Sequence, residues 1–189
     1  MTVEEIFTAI NSHMIKGIMF HDTMSEYYDF LNLHGFKRCH EYHALHEFCE
    51  HRSLARYFIN HYNKLLKSDH EGYQKVIPTN WYSYMRSQVD ANTKKRAIRD
   101  GFTKWKEWES ATKKLYESLY CELCDMKEIA AACKVKELIS CVDMELKHVD
   151  RTHVLLESID YDMPTITLMQ DGLHEKYADK TNGIGVSIC

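Results

Sequence analysis

A chain of 189 residues is long enough for one domain with a substantial core, and its 7 glycines and 2 prolines supply too few turns for an all-β fold. Its aromatics (Tyr 12, Phe 7, Trp 3) argue against disorder, and a formal charge of -4 gives no general pull toward nucleic acid or anionic lipid. No apolar run approaches the roughly 20 residues of a membrane span, so neither nucleic acid nor membrane is an expected partner.

The first helix is predicted over 3–33. Thr2 followed by Glu5 fits a capping box, and Ile6, Ile10, Met14, Phe20, Met24, Tyr28 and Leu31 recur close to helical period. Gly35 offers the break, since it tolerates a positive φ. A second helix is predicted over 36–66, and so short a joint makes the pair antiparallel. Residues 68–91 change texture, with Ser, Asp, Gly, Pro78 and the aromatic stretch Trp81-Tyr82-Ser83-Tyr84, and read as a long crossover. A third helix is predicted over 93–124 and a fourth over 126–160, the latter capped by Asp125 with Glu128 three residues on. Beyond Tyr161, Pro164 and Asn182-Gly183-Ile184-Gly185 predict an irregular tail over 161–189, with a short helix near 169–177. The expected fold is all-α: a four-helix bundle over 1–160, made of two antiparallel hairpins joined by one long crossover. The tail packs on it or extends from it.

Seven cysteines, an odd number, lie mostly within helical patterns, and the N-terminus has no signal-peptide pattern. Free thiols in a reducing cytoplasm are the expectation. Cys121 and Cys124 form a C-x-x-C inside a helix, but no second pair has metal-ligand spacing, so they read as ordinary thiols. The basic cluster Lys94, Lys95, Arg96 and Arg99 reads as a solvated face.

The predicted interior is more polar than a bundle core needs. Helical spacing puts His40, His43, Glu47, Glu50, Leu54 and Tyr57 along one face of the second helix, beside an apolar set that includes Leu45, Phe48, Phe58 and Ile59. Amphipathicity alone leaves open whether that stripe faces the axis or water. The fourth helix decides it: Glu145 and His148 share a face, at i and i+3, with Leu138, Val142, Val149 and Leu156. An ionised carboxylate costs several kcal/mol to bury unless it is paired or binds a cation. The third helix adds Glu109 among Trp105 and Trp108, and the first adds His13 and His21. Taken singly, each has a plainer role, as a satisfied core histidine or a surface ion pair such as Glu47 with Arg52 or His43. Together, carboxylates and imidazoles at one depth predict a transition-metal site. Protease-type chemistry is excluded, because His46-Glu47 lacks a second imidazole at i+4.

These residues resemble the ferritin-like superfamily of di-iron carboxylate proteins, over about 6–159 and mainly by spacing. Residue by residue, Glu50 matches the metal-binding Glu of the second helix and Glu109 that of the third. Glu145 with His148 matches the Glu-x-x-His of the fourth. Two positions depart: the family's second-helix His falls at Ser53, and its first-helix Glu falls near Gly17, with Glu26 off the inner face. A site shifted by a turn, using His21 with Glu47 or His43, repairs the loss. The resemblance implies iron (manganese as the other candidate), a di-iron site with O2-dependent oxidase activity, and a homo-oligomer. The competing reading is a metal-free all-α interaction protein, an adaptor or phage-type inhibitor that binds another protein through Trp81, Tyr82 and Tyr84.

Overall fold

A computed structural model describes residues 1–67, 87 and 89–182 of the chain. The described residues are all-helical: α1 (Val3–Phe30), α2 (His34–Tyr62), α3 (Ala91–Asp125), α4 (Ile129–Ser158) and α5 (Met163–Asn182). None of these helices is long and apolar enough to cross a membrane. The crossover aromatics Trp81, Tyr82 and Tyr84, and the tail beyond Asn182, lie outside the described residues.

Local chemistry sets most helix ends. Glu5 N donates to Thr2 Oγ1 at 3.2 Å, and Thr2 N donates to Glu5 Oε2 at 2.7 Å, so the capping box at α1 is complete. Asp90 Oδ1 accepts from Thr93 N at 2.7 Å and starts α3 two residues before the predicted position. The predicted cap of α4 is not used. Asp125 is the last residue of α3, and Lys127 takes the left-handed conformation (φ 62°) while Glu128 N reaches back to Leu123 O at 2.9 Å. That bond closes a Schellman motif, which satisfies the end of α3 and sets the turn into α4.

The α1–α2 joint corrects the role given to Gly35. The left-handed residue is Asn32 (φ 61°), with Leu33 N bonded to Tyr28 O at 2.9 Å. Gly35 sits in the first turn of α2, where a Cβ would stand 2.5 Å from Gln170 O and 2.8 Å from Gln170 Cα of α5. Its value is therefore close approach rather than a positive φ. Gln170 Oε1 in turn accepts from Phe36 N at 3.1 Å, supplying the cap that Leu33 cannot give to α2.

The tail is likewise not irregular over its described part. Asp162 Oδ2 accepts from Thr165 N at 3.0 Å and from Thr165 Oγ1 at 2.6 Å, which marks a helix start. Pro164 then falls in the first turn of α5, where its missing N–H costs no hydrogen bond. Proline read as a breaker is here an initiator, and α5 packs along α2. Changing Gly35 to Ala is expected to cost about 2–3 kcal/mol, because the new methyl meets backbone that cannot step aside. Urea unfolding measures the loss, and limited proteolysis should show α5 released first.

Packing produces two apolar clusters with a polar level between them. Ile6 and Phe7 near the start of α1 share one cluster with Leu54 and Phe58 near the end of α2, so these helices run antiparallel. Leu119 and Leu123 late in α3 meet Ala131 and Val135 early in α4, giving a second antiparallel pair. The other cluster joins Tyr28, Phe36, Phe102, Trp105, Val149 and Leu156 with Ile166 and Tyr177 of α5. The polar side chains of greatest interest lie where the two clusters meet.

Candidate metal centre

The stripe on α2 faces inward. His40, His43 and Glu47 are buried, whereas Phe48 and Ile59 of the competing apolar set are each about two-fifths exposed. Opposite them, α1 brings His21 and α3 brings Glu109, both completely buried. From α4, Glu145 arrives with a side chain 13% exposed. The helical register that makes Leu54 and Phe58 core residues therefore also carries three imidazole or carboxylate groups inward, about two to four turns before Leu54.

Two groups of ligand atoms converge, with all atoms of each group within 4.8 Å of one another. One is His21, His43 and Glu145, and the other is Cys39, His43 and His148. Glu145 Oε1 lies 3.3 Å from His43 Nδ1 and 3.4 Å from His46 Nδ1, so one carboxylate oxygen faces two imidazoles. His21 Nε2 lies 3.4 Å from Glu109 Oε1, which also accepts from Trp105 Nε1 at 3.0 Å. Of the residues expected from sequence, Glu47, Glu50 and Glu109 stand outside the two convergent groups. Glu50 sits toward the rim, 3.9 Å from His46 Nδ1. Ser53 and Glu26 are exposed, and the four basic residues at the start of α3 are half-buried or exposed.

Gly17, where the resemblance expects a first-helix carboxylate, faces the Glu47 carboxylate of α2. A Cβ there would stand 2.9 Å from both Glu47 Cδ and Glu47 Oε1. The carboxylate from α2 thus fills the room that a side chain on α1 would take.

The polar atoms are incompletely paired. Glu47 Oε2 and Glu109 Oε2 are buried without a hydrogen-bond partner, and His21 Nε2 and His43 Nδ1 meet only the carboxylates of Glu109 and Glu145, at 3.4 and 3.3 Å. Groups left this way each cost roughly 1–3 kcal/mol, more for charged ones, and bound cations are agents that would satisfy buried carboxylate oxygens of this kind. The donor set, several carboxylates with several imidazoles, fits iron or manganese.

Electrostatics follow from this crowding. Burial pushes the Glu47 carboxyl well up, and the neighbouring Glu145, Glu50 and Glu109 push the same way. Burial and then Glu145 raise Glu109 likewise. Glu145 is opposite: burial pushes it up, but the His43 and His46 imidazoles outweigh this and hold it below the usual carboxylate range. His43 is correspondingly raised, its burial overcome by Glu145 and Cys39. Burial, helped by repulsion from His43, lowers His21 to about 3. The metal-free interior therefore holds Glu145 ionised against His43, with Glu47 and Glu109 inclined to keep their protons.

His40 and His13 have supporting roles. His40 Nδ1 and His21 Nδ1 are 2.9 Å apart, so one of them carries the shared proton. With the proton on His21 Nδ1, Nε2 presents a lone pair to the Glu109 side, the arrangement in which an outer partner orients a ligand imidazole. His13 Nε2 is 2.8 Å from Thr112 Oγ1, whose own proton goes to Trp108 O, and the ring stacks on Trp108 at 4.6 Å. It is a satisfied core histidine.

Cys39, His46 and Tyr177 escaped the sequence reading as site residues. Cys39 stands one turn before His43, and His46 one turn after it, so spacing alone contained both. Nothing in the sequence pointed to Tyr177, whose hydroxyl reaches His148 Nε2 at 3.3 Å only because α5 folds back. Burial raises the Cys39 thiol, but the His148 and His43 imidazoles pull it down to about 6. No protein-family model matches the chain, and no curated protein matches it.

Proposed function

We propose that this chain is a ferritin-like four-helix bundle that binds first-row transition ions in its interior, iron before manganese, and uses them toward O2. The observation that carries this reading is the convergence of His21, His43 and Glu145 from three different helices, with buried carboxylate atoms of Glu47 and Glu109 left unpaired beside them. His21, His43, Glu145 and Glu109 would hold the first ion. Glu47, with Glu50 and His46 toward the rim, would supply the carboxylate-rich surroundings of a second.

A reduced iron pair, when bound, supplies electrons to O2. The chain's own contribution is binding and orientation: Trp105 Nε1 fixes one oxygen of Glu109, and His40, accepting at Nδ1, would hold the His21 proton on Nδ1 and leave Nε2 free to bind. Phe102, Trp105 and Tyr116, all buried, keep bulk water from the level where the ligands meet. Small molecules would enter through a cavity of about 200 Å³, with Tyr42, Met144 and Lys176 at its rim and His43, Glu145 and His148 on its floor.

Elemental analysis of purified protein, together with Fe(II) addition under air followed by absorbance, tests the reading. Bound iron approaching about two ions per chain and an oxygen-dependent rise in near-ultraviolet absorbance are expected. Metal content near zero, unchanged in Glu145→Ala, would remove it.

A further inference from the structure

We propose that Cys39, His43 and His148 form a second, thiolate-bearing subsite that takes a thiophilic divalent ion of the zinc class. Cys39 and His43 lie one turn apart on α2, and His148 faces them from α4, with all three ligand atoms within 4.8 Å of one another. Tetrahedral zinc with one sulfur and two imidazole ligands needs donor–donor separations of about 3.3–3.6 Å, so the trio closes on an ion with movements of about 1 Å. The inference goes beyond the carboxylate-centred reading, because it adds a sulfur ligand and a different ion. His43 belongs to both donor sets, and an imidazole has two ring nitrogens.

Three observations separate this cluster from an ordinary buried thiol. Cys39 is a free cysteine and only 4% exposed, yet it faces two imidazoles rather than apolar side chains alone. His43, buried, stands between the Glu145 carboxylate, 3.3 Å from its Nδ1, and the Cys39 thiol, so it links the two donor groups. The Tyr177 hydroxyl lies 3.3 Å from His148 Nε2 and also hydrogen-bonds the Cys39 thiol, so α5 holds both of these donors in place. The cavity floored by His43 and His148 leads to solvent, which gives the ion a way in and a fourth position open to water.

Cobalt(II), a spectroscopic stand-in for zinc, tests the subsite in the full-length, reduced, metal-free protein. A thiolate-to-cobalt charge-transfer band should grow during titration and disappear on adding zinc. Cys39→Ser should abolish the band and weaken zinc binding by more than about tenfold, while Glu109→Gln should leave the band in place. Zinc K-edge absorption of the unmutated protein needs no variant, and should show one sulfur among nitrogen or oxygen scatterers. A zinc shell without sulfur, or a band that persists in Cys39→Ser, would overturn the proposal. The two readings fail separately: iron uptake and oxidation without a thiolate band removes only the subsite. A thiolate band in protein that neither binds nor oxidises iron removes only the carboxylate reading.

Discussion

Glu145→Gln is expected to remove the response of this protein to metal and to weaken its metal-free fold. In the unmutated protein, a transition ion at a hundredfold excess over its Kd should add about 3 kcal/mol of stability, or about 5–10 °C in Tm for a domain of this size. In the variant that shift should vanish. Of Glu47, Glu50, Glu109 and Glu145, only Glu145 is held below the usual carboxylate range, because the imidazoles of His43 and His46 outweigh the effect of burial. An ionised oxygen already placed 3.3 Å from His43 Nδ1 would need no deprotonation before taking an ion. Gln keeps the volume and removes the charge. Breaking a largely buried charge pair from one side should cost about 2–4 kcal/mol in the metal-free state, since His43 then loses its anionic partner. Thermal melts of both proteins with and without Fe(II) under anaerobic conditions measure both effects. Equal metal-induced shifts in the two proteins would show that Glu145 is no ligand.

Much of this arrangement was readable from spacing. The i and i+3 placement of Glu145 and His148 on the face of Val142, Val149 and Leu156 favoured an inward carboxylate, and the Glu145 side chain is 13% exposed. Glu109, which follows Trp105 and Trp108 in a helical run, was expected inward on the same argument, and it is completely buried. Other parts depended on relations between helices that no single-helix pattern contains. The fit of Glu47 against Gly17 exists only at one mutual register of α1 and α2. On its own, a glycine in a predicted helix looked like a lost ligand.

α5 was misread for a related reason. Pro164 breaks or begins a helix depending on whether a cap precedes it, and Asp162 is that cap. Gly35 and Gln170 are 135 positions apart in sequence, so the close approach that explains both was invisible locally. Cys39 was passed over because a buried thiol is ordinarily inert packing. Its significance comes from His148, which a different helix supplies.

Glu109→Gln is expected to reverse sign between the metal-free and metal-loaded protein. Glu109 is completely buried, its Oε1 accepts from Trp105 Nε1, and its Oε2 has no partner. Burial, with repulsion from Glu145, raises its carboxyl well above 4.5, so the folded metal-free protein keeps a proton that the unfolded chain releases. The native state then binds more protons than the unfolded state, and stability falls as pH rises from about 4.5 toward the folded value, by up to about 1.4 kcal/mol per unit. Glu47 adds a slope of the same sign. His21 acts oppositely: with its folded value near 3, its contribution is lost as pH falls below 6.5. Above pH 6.5 the carboxyl slope therefore stands against no opposing contribution from His21. Gln still accepts from Trp105 but carries no titrating group, so the metal-free variant should be about 1–3 kcal/mol more stable than the unmutated protein at pH 8, with a flatter pH profile. Adding metal should invert the order, because the ion satisfies the ionised Glu109 and gains nothing comparable from Gln. Urea unfolding between pH 6.5 and 8.5, with and without metal, reads the crossing. A metal-free variant less stable than the unmutated protein at pH 8 would mean that Glu109 is already satisfied without a cation.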